Sequence, residues 1–326
     1  AFEALYNIGN DGDAADKLVE LGVVQQAFTT IQNFDYERKL VAQVMKFLSV
    51  LTYNEAAVEV IGSEHLLPIV FQAMRTRVEN EEFMLDALMA VANTVPDPRC
   101  QAIADEDDAL KQILELLTLY DNSVDVTMQV ILTCIRLATN EEISVKVAAE
   151  GMPYFMRATA KLGMEDIDLL SLLFELLFHL AFIKENINIM VQHGCIKTLL
   201  AIMDVEEYQD DSELMMKAVG MMDNVVSADE EFASIVKDKG GKKLLKAVAE
   251  VHADDDGMVA RHAAVAQWNA GVEADASLHL AFSHEREAAL LGRSPVLCLP
   301  VGSSPLSRPT TAAREAAAAA AALHEE

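Results

Sequence analysis

Between residues 194 and 203 the apolar side chains Ile196, Leu199, Leu200 and Met203 follow i, i+3, i+4, i+7 spacing, which predicts a short amphipathic helix. Asp211 to Val226 continues as a longer helix, and Glu230 to Val236 gives a third, short one before Lys239 and Gly240. The glycine there suits a helix end, because it takes positive φ without steric cost. Three helices therefore fit into about 43 residues, inside the range of about 40–47 expected of a helical repeat unit.

The same pattern recurs along the chain. Segments opening at Gly22, His65, Asp108, Gly151 and Gly194 are each 43 residues apart, and the next, at Gly240, follows after 46. The extra residues fall in the acidic, polar stretch Glu206 to Ser212, where a longer turn between helices costs little. A second marker near the end of each longer helix keeps step with the first: Asn7, Val50, Asn93, Arg136, His179, Asn224 and Asn269, at spacings of 43, 43, 43, 43, 45 and 45. Two markers in register through the chain establish a repeat.

Gly194-Cys195-Ile196, Gly240-Gly241, Phe178-His179-Leu180-Ala181 and Asp223-Asn224-Val225 resemble the armadillo repeat family, whose units open with a Gly-Gly-Ile-Pro-like step and close their third helix with Asn-Leu-Ala. The resemblance covers residues 1–283 and implies an all-α, right-handed solenoid of about six three-helix repeats. Residues 1–21 would be the end of an incomplete repeat, and the six units 22–64, 65–107, 108–150, 151–193, 194–239 and 240–283. His284 to Leu291 reads as a shortened opening helix whose charged face caps the end, within 284–292. Pro295, Pro300, Pro305 and Pro309 among Ser and Thr predict disorder over 293–326, where the alanine run Ala316 to Ala322 is too short for an isolated helix. Phe2, Leu5 and Ile8 form an apolar stripe that would lie bare unless more chain or a partner covers it.

Composition agrees with packed helices: 52% of residues are hydrophobic and only 6% aromatic. Charge narrows the partners. With 25 Lys and Arg against 52 Asp and Glu, the formal charge of −27 repels nucleic acid and anionic lipid and attracts basic protein segments. The acidic clusters Asp105 to Asp108, Glu206 to Glu213, Asp229 to Glu231 and Asp254 to Asp256 fall mainly at turns, where solvation is the first role to expect and steering the second. Met215, Met216, Met221 and Met222 follow helical spacing and are expected to fill the core.

Candidate chemistry is sparse. Cys100, Cys134, Cys195 and Cys298 stand 34, 61 and 103 residues apart, with no C-x-x-C pair, so reduced thiols and no metal site are expected. The apolar run Leu172 to Ile183 is interrupted by Glu175 and His179 and is shorter than the roughly 20 residues of a membrane span. No phosphate loop, dinucleotide fingerprint, zincin or nucleophile-elbow motif is present, which argues against an enzyme and against a cofactor.

In the family the third helices line the inner groove, and ladder Asn side chains bond the backbone of an extended peptide. Asn7, Asn93, Asn224 and Asn269 match that ladder, whereas Val50, Arg136 and His179 depart from it. Import adaptors of the family add Trp one turn before the Asn; the positions here are Glu3, Lys46, Met89, Leu132, Glu175, Gly220 and Val265, and Trp268 sits next to Asn269 instead. Import-signal binding is thereby disfavoured. The candidate groove residues are Asn7, Lys46, Asn93, Arg136, His179, Asn224, Trp268 and Asn269, with a purely structural ladder, each Asn bonding a neighbouring carbonyl, as the competing reading.

The resemblance implies a protein-binding scaffold or adaptor with a basic or extended partner, in the cytoplasm or in a cytoskeletal or ciliary assembly of several subunits; a nuclear setting is compatible. The alternative it allows is a regulator or chaperone, such as an exchange factor for small GTPases with basic tails or a chaperone for myosin. Acid within the groove would favour the GTPase version.

Overall fold

The computed structural model describes residues 2–9, 11–163, 166–252 and 259. Among them regular structure is entirely helical, eighteen α-helices and a π-helical turn. The chain divides into two compact units, residues 1–158 and 159–326. The predicted cap at 284–292, the tail 293–326, Trp268, Asn269 and Cys298 lie outside the described residues.

The first unit contains α1 (Phe2–Gly9), α2 (Gly12–Glu20), α3 (Val23–Asn33), α4 (Arg38–Leu51), α5 (Glu55–Ser63), α6 (Leu67–Arg75), α7 (Glu81–Thr94), α8 (Pro98–Glu106), α9 (Ala109–Leu119), α10 (Val124–Leu137) and α11 (Glu141–Ala158). Helices α1, α4, α7 and α10 pack side by side as one layer, and the short helices α2, α5 and α8 stack in step beside them. The repeat in sequence is a repeat in the core. Val44, Ala87 and Val130 occupy one buried column, Met45, Leu88 and Ile131 the next, and Leu48, Val91 and Cys134 a third. Each long helix thus presents the same i, i+1, i+4 stripe to its neighbours, and buried apolar side chains at matched positions keep the layers in register.

The second unit opens with the π turn Thr159–Gly163 and continues through α12 (Ile167–Leu180), α13 (Lys184–Gln192), α14 (Cys195–Met203), α15 (Glu206–Gln209), α16 (Ser212–Ala228), α17 (Glu230–Asp238) and α18 (Gly241–Val251). Helix α12 packs on α16. Their buried faces carry Leu173, Phe174 and Leu177 against Ala218, Val219 and Met222. Met215, Met221 and Met222 are buried as expected, while Met216 is half-buried.

Two classes of turn residue set where helices begin. Every repeat's opening marker except Gly151 is a left-handed residue: Gly22, Gly194 and Gly240 have φ of 74°, 77° and 82°, and His65 and Asp108 adopt 55° and 54° at a strain that glycine avoids. The long helices start at a second column. Asn80, Ser123, Asp166 and Asp211 accept from the backbone N–H of Phe83, Val126, Leu169 and Leu214 at 2.9–3.2 Å. Asp11, Asn54, Asp97, Asn140 and Asp229 do the same for short helices and for α11. Part of the acid at turns therefore caps helices, each cap contributing about 1 kcal/mol, a role beyond the solvation expected of it.

Three expectations need correction. Gly151 does not open a new helix: α11 runs unbroken through it and through Pro153. The missing Pro153 N–H costs a bond, but the continuous helix buries Met152, Phe155 and Met156, and a Cβ on Gly151 would run into the Phe155 ring. The stretch after Met203 is not a plain turn either. It holds the one-turn helix α15, pinned by buried Tyr208 and by Gln209, whose side-chain amide donates to the Met203 carbonyl at 2.9 Å. At the start, Phe2 is covered in part by the Phe47 ring, 5.9 Å away between centroids, whereas Ile8 is exposed.

Candidate functional site

The long helices of each unit carry the ladder positions, so the two ladder faces are built from α1, α4, α7 and α10 in the first unit and from α12 and α16 in the second.

On the first, Asn7 is exposed at the end of α1. Lys46, one turn before Val50 on α4, sits with Nζ 5.6 Å from the centroid of the Tyr6 ring and 3.5 Å from Glu82 Oε1. Lys46, at a position where import adaptors of the family carry Trp, thus lies over an aromatic ring of its own chain. Below it, the Ser49 hydroxyl donates to the Lys46 carbonyl at 2.8 Å and lies 3.4 Å from Asp86 Oδ1. Burial pushes the Asp86 carboxyl up to about 6; Lys46 opposes the rise, Glu82 adds to it, and the Ser49 bond opposes it.

Asn93 is turned inward. Its amide donates to the Ser49 carbonyl at 3.4 Å and to Thr52 Oγ at 3.3 Å, joining α7 to the end of α4. That is the structural role weighed for a ladder Asn, and it commits the donors that would otherwise clasp a peptide backbone. Arg136 is half-buried, and among the described residues no carboxylate comes within ion-pair distance of it. Leu85, Met89, Met128 and Leu132 lie between, half-buried, with exposed Glu82 and Asp125 at the helix starts. The face is an apolar strip between carboxylates and the cations Lys46 and Arg136.

The second ladder face is more closed. Gly220 stands where a slot would open, and a Cβ there would meet the Phe178 ring at 2.9 Å, so α12 and α16 approach over that ring. His179 is half-exposed against Phe178 and Phe182, with ring centroids at 5.9 and 6.5 Å. Burial holds its imidazole below the ordinary value; Glu175 opposes this and Lys217 reinforces it. Lys217 is pinned by Glu213 at 2.8 Å, Ser171 Oγ at 2.8 Å and Glu175 at 3.2 Å. Asn224 is buried, so its amide is not on offer to a partner.

Of the eight residues the sequence singles out, the structure places Asn7, Lys46 and Arg136 at the surface of the first face and His179 at that of the second. It turns Asn93 inward and buries Asn224. Sequence reasoning missed Tyr6, Asp86 and Lys217. Each lies one position before, or seven before, a ladder residue, so reading the helical face around the ladder would have found them.

Other chemistry is quiet. Burial pushes the Cys134 and Cys195 thiols up to about 12 and Cys100 to about 11, which keeps them protonated and poorly nucleophilic. Among the described residues no group of three His, Cys, Asp or Glu side chains could hold a metal, and no helix is long and apolar enough to cross a membrane.

No family model and no curated protein matches the chain. Solved structures do. A designed armadillo repeat protein superposes with a TM-score of 0.64 at 16% identity over 76% of this chain and 99% of its own. A computationally designed armadillo repeat protein for modular peptide recognition gives 0.63 at 17%, over 75% and 98%. An engineered protein gives 0.63 at 17%, over 76% and 96%. The fold is therefore that of an armadillo-type helical repeat, which is what the resemblance to the armadillo family implies.

Proposed function

We propose that this protein is an interaction scaffold that binds a segment of a partner protein along the ladder face of its first unit. The observation that carries the reading is the strip Leu85, Met89, Met128 and Leu132, half-open on the packed helices α7 and α10 and bordered by Glu82, Asp125 and Arg136. Apolar side chains with charged neighbours suit capture of a partner through its side chains. Because Asn93 is committed to α4, the partner's backbone is not the main handle. One of the similar solved structures was designed for peptide recognition, which supports a binding role for the fold. On the family resemblance alone, the setting we propose is a cytoskeletal or ciliary assembly of several subunits.

Asp86 lies within this face, with Glu82 and Asp125 at the helix starts beside it, and these carboxylates favour a second reading, a regulator that receives the basic tail of a small GTPase. A polybasic peptide that fails to bind at low salt would sink that version.

The scaffold reading is tested by affinity capture from native cell extract with the wild-type chain and with Met89→Ser, Leu132→Ser, Arg136→Ala. Loss of a partner from the variant at unchanged helical signal and Tm supports it. Retention of every partner rejects it.

A further inference from the structure

Helices α7 and α10 carry the ladder strip in two matched rows. Each has 14 residues, and they pack side by side. Their first residues, Glu81 and Val124, and their last, Thr94 and Leu137, are both 43 residues apart. Leu85 and Met89 on α7 therefore stand level with Met128 and Leu132 on α10, and Asn93 stands level with Arg136. Along α10, Asp125, Met128, Leu132 and Arg136 follow i, i+3, i+7, i+11 spacing, which keeps them on one face.

Charge along this face is ordered. Asp125 is exposed in the first turn of α10 and Arg136 half-buried in its last, so each suits the dipole of its own helix. Neither has an ion-pair partner among the described residues. They lie eleven residues apart, about 16 Å along the axis. On α7, Glu82 is held by Lys46 at 3.5 Å, and Asp86 leans toward α4, its Oδ1 3.4 Å from the Ser49 hydroxyl. The two open charges thus have opposite signs and flank an apolar middle. An occupant has to match their order, because the signs cancel in sum.

The backbone of the occupant narrows its conformation. An extended segment laid over the strip would press its N–H and C=O groups against apolar side chains, at about 1–3 kcal/mol for each group left unpaired. The polar side chains nearby do not relieve this: the Asn93 amide donates to Ser49 and Thr52, and the amide nitrogen of Gln129 is buried. A helix satisfies its own backbone and brings only side chains to the strip. Helices also favour acid at their start and base at their end. A helix of that kind meets Arg136 with its first turn and Asp125 with its last when it runs antiparallel to α10.

We propose, resting on the scaffold role above, that the occupant is an amphipathic α-helix of a partner protein, antiparallel to α10. Its apolar side chains cover Leu85, Met89, Met128 and Leu132, an acidic side chain near its N-terminus pairs with Arg136, and a basic one near its C-terminus pairs with Asp125.

The test is fluorescence anisotropy of the full chain at low salt with a labelled, acetylated and amidated peptide, Ser-Glu-Gln-Ala-Leu-Leu-Ala-Gln-Leu-Leu-Ala-Gln-Arg. It places leucines at i+3, i+4, i+7 and i+8 and arginine at i+11 from its glutamate. Saturable binding is expected, with a gain in helical circular dichroism over the sum of the separate spectra. Proline in place of the central alanine, or lysine in place of the glutamate, should each weaken binding by about tenfold or more. Arg136→Glu should weaken the first peptide similarly and reverse the preference in favour of the lysine peptide. Glu59→Gln, on α5, should change nothing. Absence of saturable binding, equal binding of the proline peptide, equal binding of the lysine peptide, or indifference to Arg136→Glu overturns the proposal. Should Arg136→Glu fail to fold, the two control peptides on the wild-type chain still decide. The scaffold role fails separately: if extract capture loses a partner with Met89→Ser, Leu132→Ser, Arg136→Ala while the peptide does not bind, the helix is rejected and the scaffold stands.

Discussion

Asn93 on α7 reaches back to α4, its amide shared between the Ser49 carbonyl and Thr52 Oγ at 3.4 and 3.3 Å. A residue that the repeat pattern offers as a partner contact is thus a clasp between successive repeats. Asn93→Ala should lower stability by about 1 kcal/mol, the net worth of a partly buried hydrogen bond, as read by urea unfolding. An unchanged midpoint would mean the amide works elsewhere.

Asp86 makes stability depend on pH with a defined sign. Its carboxyl is raised from 3.8 to about 6 in the folded chain, so folding favours the protonated form. The contribution is fully present below about 3.8 and is lost as pH rises through about 6. Asp86→Asn should therefore be more stable than wild type at pH 7.5, with the gap shrinking as pH falls to 4. A gap independent of pH contradicts the burial that causes the shift.

His65 holds a left-handed backbone with φ of 55°, in the column where Gly22, Gly194 and Gly240 do so freely. His65→Gly relieves a strain of about 1 kcal/mol, partly offset by the greater chain entropy of glycine when unfolded. A modest rise in Tm is expected; a fall would show that the imidazole makes a compensating contact.

Gly220→Ala places a methyl carbon 2.9 Å from the Phe178 ring, closer than the two helices can hold. Destabilisation by about 1–3 kcal/mol is expected, as for an overpacked core. Asp211→Ala, which removes the cap bonding the Leu214 N–H at 2.9 Å, should cost about 1 kcal/mol by the same assay.

Much of the fold is legible in the letters because the repeat writes it several times over. Gly22, Gly194 and Gly240 announce left-handed turns, and the columns through Val44, Met45 and Leu48 announce a buried face. Gly151 carries the same letter as the other markers and behaves otherwise, because the helix around it gains more by continuing than by turning. The site is less legible. Asn93 and Asn224 look alike in sequence, yet one clasps a neighbour and the other is buried, a difference decided by what packs against each helix. Asp86 belongs to no motif. Its shifted carboxyl arises only when α4 and α7 enclose it beside Lys46 and Glu82.

The most direct test of the scaffold reading is site-specific photo-crosslinking in native extract, with the reactive group placed at Leu132 on the ladder face or at exposed Glu59 on α5. The account predicts a discrete protein adduct from position 132 and none of that mass from position 59. An adduct from 59 alone, or the same adduct from both, would contradict it and move the binding surface off the ladder.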